Sequence, residues 1–179
     1  MILDNLLAFS PIPGDNLAQV VGTYASANVI DLGISSGIPT SASGGGARDI
    51  GIGDDPALKL LVLVSTAFTG TTGTLQVTLQ GAIDNGAGVP AAFVSWWASP
   101  LYTIAQLVVG ARLYDMDMPR PPDGVAIPRF IRLLYGIATA TMTAGNVEAF
   151  LVLDRHDQFY TGTVNSTLSG YPAGVTVAN

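Results

Sequence analysis

The one imidazole of the chain is His156, set in Asp154-Arg155-His156-Asp157. A catalytic zinc site takes two or three His or Cys ligands, and with one His and no Cys nothing can join it. A Ser-His-Asp arrangement is formally open to any Ser-rich chain, but His156 reads better as a solvated loop residue. Gly44-Gly45-Gly46-Ala47-Arg48 has the glycines of a phosphate cradle without its Lys-Ser/Thr, and a strand rather than a helix follows it. Gly51-Ile52-Gly53-Asp54-Asp55-Pro56 carries part of a dinucleotide fingerprint, with Pro56 where the third Gly belongs. The pairs Asp54/Asp55 and Asp115/Asp117 supply oxygen ligands but lack EF-hand spacing, so turn and edge roles are expected of them. Asn165-Ser166-Thr167 fits the glycosylation pattern, which means little without a secretion signal. We therefore expect no catalytic residue, no cofactor, no metal site and no enzyme activity.

The elements around these residues point to an all-β chain. Twelve of the 13 acidic residues are Asp, which favours turns over helix interiors, and 21 residues are Gly. Thr74 to Gln80 alternates strictly, with Leu75, Val77 and Leu79 on one face and Gln76, Thr78 and Gln80 on the other. Asp84-Asn85-Gly86 follows as a turn. Further strands are expected at residues 28–32, 48–52, 58–66, 91–97, 112–118, 129–139 and 147–154. With 74–83 these make eight, which suits an antiparallel sandwich or barrel. Ile104, Leu107, Val108 and Ala111 have helical spacing, but the segment is short and holds Gly110, so its periodicity decides nothing.

The expected organisation is one domain over 1–155, with an extended N-terminal arm at 1–26 and a Gly/Ser-rich insertion at 33–47. An extended C-terminal tail follows at 156–179. Several strands are apolar on both faces. Leu61 and Leu63 lie behind the Leu58-Leu60-Val62-Val64 face, Phe130 and Leu134 flank Arg132 behind Ile131-Leu133-Tyr135-Ile137, and Phe150 and Val152 lie behind Val147-Ala149-Leu151-Leu153. A sandwich buries one face of each sheet, so the reverse faces need a cover from the chain's own loops and tail or from a partner subunit. In a regular strand Trp96 and Trp97 point to opposite faces, one to the core and one to a surface.

Charge sharpens that question. A globular chain of 179 residues would carry about 45 charged side chains. This one has 7 basic and 13 acidic residues, for a net charge of −6, with 49% hydrophobic residues. A membrane span would need roughly 20 apolar residues. The longest apolar run, 57–64, is broken by Lys59, and Met1-Ile2-Leu3-Asp4-Asn5 lacks the basic start of a signal peptide. Six scattered Arg and one Lys do not form the clustered basic surface that nucleic acid requires. Neither membrane nor nucleic acid is expected as a partner; much of the surface is expected to be covered by protein.

The segments Met1-Ile-Leu-Asp-Asn5, Asn28-Val-Ile-Asp-Leu-Gly33, Arg48-Asp-Ile-Gly-Ile-Gly53, Leu60-Leu-Val-Leu-Val-Ser-Thr-Ala-Phe68 and Leu75-Gln-Val-Thr-Leu-Gln80 occur in that order, followed by Arg129-Phe-Ile-Arg-Leu-Leu-Tyr135 and Gly145-Asn-Val-Glu-Ala-Phe-Leu-Val-Leu-Asp154. This ordered set resembles the single jelly-roll capsid cement, or head decoration, proteins of tailed bacteriophages. The resemblance implies an eight-stranded antiparallel jelly-roll sandwich, forming dimers or trimers on the outer surface of a virion assembled in the host cytoplasm. Its partner would be the major capsid protein of the same phage, whose shell it stabilises. Contacts are expected from the arms through Ile2, Leu3 and Tyr171, and from the sheets through Leu61, Leu63, Trp96, Trp97, Phe130, Arg132, Leu134, Phe150 and Val152. The alternative is a carbohydrate-binding jelly roll aiding host attachment, which needs Trp96, Trp97 or Tyr102 exposed as a sugar-stacking platform.

Overall fold

The computed structural model describes residues 7–33, 58–126 and 128–153. Within them ten strands occur: β1 (Ala8–Asn16), β2 (Gly22–Ala25), β3 (Ile30–Asp31), β4 (Leu58–Gly70), β5 (Thr74–Ala82), β6 (Val94–Ala98), β7 (Tyr102–Thr103), β8 (Arg112–Asp117), β9 (Phe130–Ala138) and β10 (Met142–Leu153). A 3-10 turn at Ile104–Gln106 takes up the segment of helical spacing. The strands build two antiparallel sheets, β1-β10-β4-β8 and β2-β9-β5-β6, with the two-residue β3 and β7 attached to β9 and β5. β1 pairs with β10, β2 with β9, β4 with β8 and β5 with β6. The first half of the chain is thus laid against the second in reverse order and folded over into two sheets, the jelly-roll arrangement.

One core fills the space between the sheets. Leu75, Val77 and Leu79 of β5 face Leu60, Val62 and Val64 of β4, all fully buried, and Leu133 and Tyr135 of β9 join Val147 and Ala149 of β10. The Tyr135 hydroxyl bonds Ser10 Oγ at 2.6 Å, and Ser10 in turn donates to Asp15 Oδ2 at 2.5 Å, so a polar chain crosses the apolar interior with its members satisfied.

One expectation about the strands is corrected. The segment 1–26 is not an extended arm over its described part, because 8–16 and 22–25 are the sheet strands β1 and β2. β1 escapes a periodicity search because residues 11–14 bulge out between the Ser10–Ala149 and Asp15–Val147 pairs. The bulge is tied down through the Pro13 carbonyl, which accepts from Ser65 Oγ at 3.0 Å and from Asn146 Nδ2 at 3.3 Å. Gly14 turns it at φ +95°, where a Cβ would lie 2.8 Å from the Val147 carbonyl oxygen. The expected strand at 48–52, the insertion at 33–47 beyond Gly33 and the tail at 156–179 lie outside the described residues.

The sheet edges are poor templates for strand addition. β1 carries its proline bulge, β2 is four residues long, β6 is irregular, and Pro119, Pro121 and Pro122 follow β8. Among the described residues the sheet faces and loops, rather than strand edges, are therefore the surfaces suited to a partner.

Candidate interaction surfaces

Trp96 and Trp97 show how register decides a surface. Across β5, Trp97 sits opposite Leu79 while Ser95 sits opposite Gln80, so Trp96 is an extra residue in a bulge. The alternation expected of adjacent residues is broken, and both indoles turn toward the core, where each is half-buried. The expectation that the two rings point to opposite faces is thereby corrected. Trp97 tilts at 58° against Tyr114 with ring centres 4.4 Å apart. Trp96 lies on Gly81, where an added Cβ would fall 1.9 Å from its ring, and its buried Nε1–H has no acceptor among the described residues. The Tyr102 hydroxyl donates to the Leu113 carbonyl, and burial pushes the Tyr102 and Tyr114 hydroxyls above the ordinary tyrosine pKa. Trp96, Trp97 and Tyr102 are half-buried and all pack against the core.

Trp96 also forms the wall shared by two grooves. One, of about 260 Å³, is apolar and bounded by Ile83, Val94 and Val125; the other, of about 410 Å³, runs past Leu32, Arg120, Pro122 and Asp123. Ile83, Val89, Val94 and Val125 are exposed around them. The Asp84 turn beside this end is fixed by Arg129, whose Nε and Nη2 each reach an Asp31 oxygen at 2.9 Å while Nη1 reaches Asp84 at 2.5 Å. Asp31 and then Asp84 hold the Arg129 guanidinium more firmly protonated than usual.

The reverse faces differ from what their patterns suggest. Leu61, Phe150 and Val152 are 1, 3 and 2% exposed and form a second apolar cluster with Ala8, with Leu63 packed partly against it. That face is closed within the chain, so these three do not offer the bare surface expected of them. Phe130 is also buried, with the Arg129 guanidinium 4.8 Å from its ring centre. Arg132 and Leu134 are half-buried on the outer face of the second sheet. Ile2, Leu3, Tyr171 and His156 lie outside the described residues.

Sequence patterns missed the most exposed large apolar side chains among the described residues. Ile12 at the tip of the β1 bulge is 67% exposed and Val109 before β8 is 65% exposed. Pro11 and Pro13 around Ile12 were the available signal, since proline in a strand marks an edge or a bulge. Among the described residues no group of three or more His, Cys, Asp or Glu could hold a metal ion, and no helix is long and apolar enough to cross a membrane.

A family model named Bbp16 matches residues 16–151, well over half of the 179-residue chain. The chain belongs to the Bbp16 family. Bbp16 is a phage-type family, and the matched span runs from the last residue of β1 into β10. The Bbp16 match thus includes Trp96, the two grooves and Arg132, and excludes the Ile12 bulge. No curated protein matches the chain.

Proposed function

We propose that this Bbp16-family chain is a structural virion protein, a capsid cement or decoration protein that binds the outer surface of the major capsid protein shell and stabilises the phage head. The observation that carries this reading is the match of residues 16–151 to a phage-type family. Physical features support it. The chain is poor in charge, its sheet edges are blunted, and its exposed apolar side chains gather on the loops around Trp96 and at Ile12 and Val109. A cement protein acts through binding energy alone, and copies joined as a dimer or trimer gain avidity by contacting several shell subunits at once.

Quantitative mass spectrometry of purified particles tests the proposal. Copies of this chain are expected at a stoichiometry comparable with the major shell protein, and light scattering of the isolated protein is expected to give a dimer or trimer. Intact particles lacking the chain would overturn it.

A further inference from the structure

Arg132 is held in a way that leaves its working end unused. Its guanidinium lies 3.8 Å from the ring centre of Phe93, and its Nε donates to Gln80 Oε1 at 2.9 Å. Gln80 is fixed in turn, since its Nε2 donates to Ser95 Oγ at 3.0 Å. Three neighbouring strands, β9, β5 and β6, thus contribute Arg132, Gln80 and Ser95 in one row across the outer face of the sheet. Among the described residues neither Nη group of Arg132 makes a hydrogen bond or ion pair. The next row on the same face is Ala25, Leu134, Thr78 and Ala98, which is flat and uncharged.

We infer that Arg132 is a pre-oriented receptor for one carboxylate side chain of the protein on which this face docks. The inference rests on the proposed function, which makes that protein the major shell subunit. The free Nη1/Nη2 fork matches the two oxygens of a carboxylate, and the Phe93 stack and Gln80 bond restrict the side chain before binding, so less entropy is lost on pairing. The flat neutral row beside it admits close approach and keeps water from the pair once docked. A nucleic-acid phosphate would suit the fork equally well, but a lone Arg on a chain of net charge −6 is not the clustered basic surface a polyanion needs.

The test uses the full chain and expanded shells of the encoding phage assembled without it, with binding followed by co-sedimentation. R132A is expected to weaken binding about 30-fold or more, as loss of one partner of an enclosed charge pair does. R132K should recover only part, because the charge returns without the fork, and circular dichroism should show both variants fully folded at the temperature of the binding assay. T78E places a carboxylate beside the fork within the same chain and should weaken binding while leaving Arg132 intact. Pairing R132E with a shell subunit whose contacting carboxylate is changed to Lys should restore binding. If wild type binds and R132A and T78E bind equally well, the receptor role is overturned while the cement reading stands. If R132A loses affinity for duplex DNA instead of for shells, the carboxylate is the wrong ligand. If wild type does not bind shells at all, the cement reading fails and this partner with it.

Discussion

The Tyr135 hydroxyl meets Ser10 Oγ at 2.6 Å in the interior, joining β9 of one sheet to β1 of the other across 125 residues of sequence. It is a polar contact spanning the two sheets, and it turns one hydroxyl into a probe of whether they are docked.

Tyr135→Phe should therefore cost about 1 to 2 kcal/mol, since Ser10 keeps its bond to Asp15 and only one buried hydrogen bond is lost. For a chain of this size that is a fall in melting temperature of roughly 2–8 °C by circular dichroism. No change would mean that the hydroxyl contributes nothing across the sheets.

Burial pushes the Tyr135 hydroxyl far above the ordinary tyrosine value of 10.0. The unfolded chain then releases this proton before the folded one does, so the stabilisation is complete below pH 10 and declines as pH rises beyond it. Urea unfolding across the alkaline range should show stability falling above pH 10, and less steeply in Tyr135→Phe.

Asp84 sets the acid side. Desolvation pushes its carboxyl up, but N–H donors from Gly86 and Gly88 together with Arg129 outweigh this and hold it below its ordinary value of 3.8. Its contribution is present above that value and is lost as pH falls through the lower folded one. Wild type should lose stability on acidification below pH 3.8 more steeply than Asp84→Asn.

Gly81→Ala would drive a Cβ to within 1.9 Å of the Trp96 ring as it now lies. Displacing the indole should cost about 1–3 kcal/mol and alter tryptophan fluorescence. In a Trp96→Ala background the same change should be nearly neutral, and additive effects would refute the contact.

Ile12→Ser and Val109→Ser should leave the melting temperature unchanged, since both side chains are exposed. If the loops serve as contacts in the proposed function, the pair should reduce retention on shells in co-sedimentation. Retention equal to wild type would remove these loops from the interface.

Much of the sandwich was legible from alternation alone. Leu75, Val77 and Leu79, and Ile131, Leu133 and Tyr135, mark the core faces of two adjacent central strands because their patterns run without interruption. Where a bulge intervenes the pattern misleads: residues 11–14 hid β1, and the extra residue at Trp96 turned both indoles inward. A bulge depends on the partner strand, which periodicity does not contain. Leu61, Phe150 and Val152 teach a different point, since alternation reports which side of a sheet a residue occupies and not what lies over it. Arg132 was visible as an isolated charge between apolar neighbours, but its ring partner Phe93 precedes a different strand and no local pattern joins them.

The pairing of β1 with β10 bears on how the protein is made. The ribosome delivers β1 first and its neighbour in the sheet last, and β10 must slot between β1 and β4, two strands already synthesised. Until then β1 and β4 are unpaired on those edges, and the nascent chain carries open strand edges that can seize another copy. Such non-local closure folds slowly, so the yield of soluble protein should depend more on crowding during synthesis than on the stability of the finished sandwich.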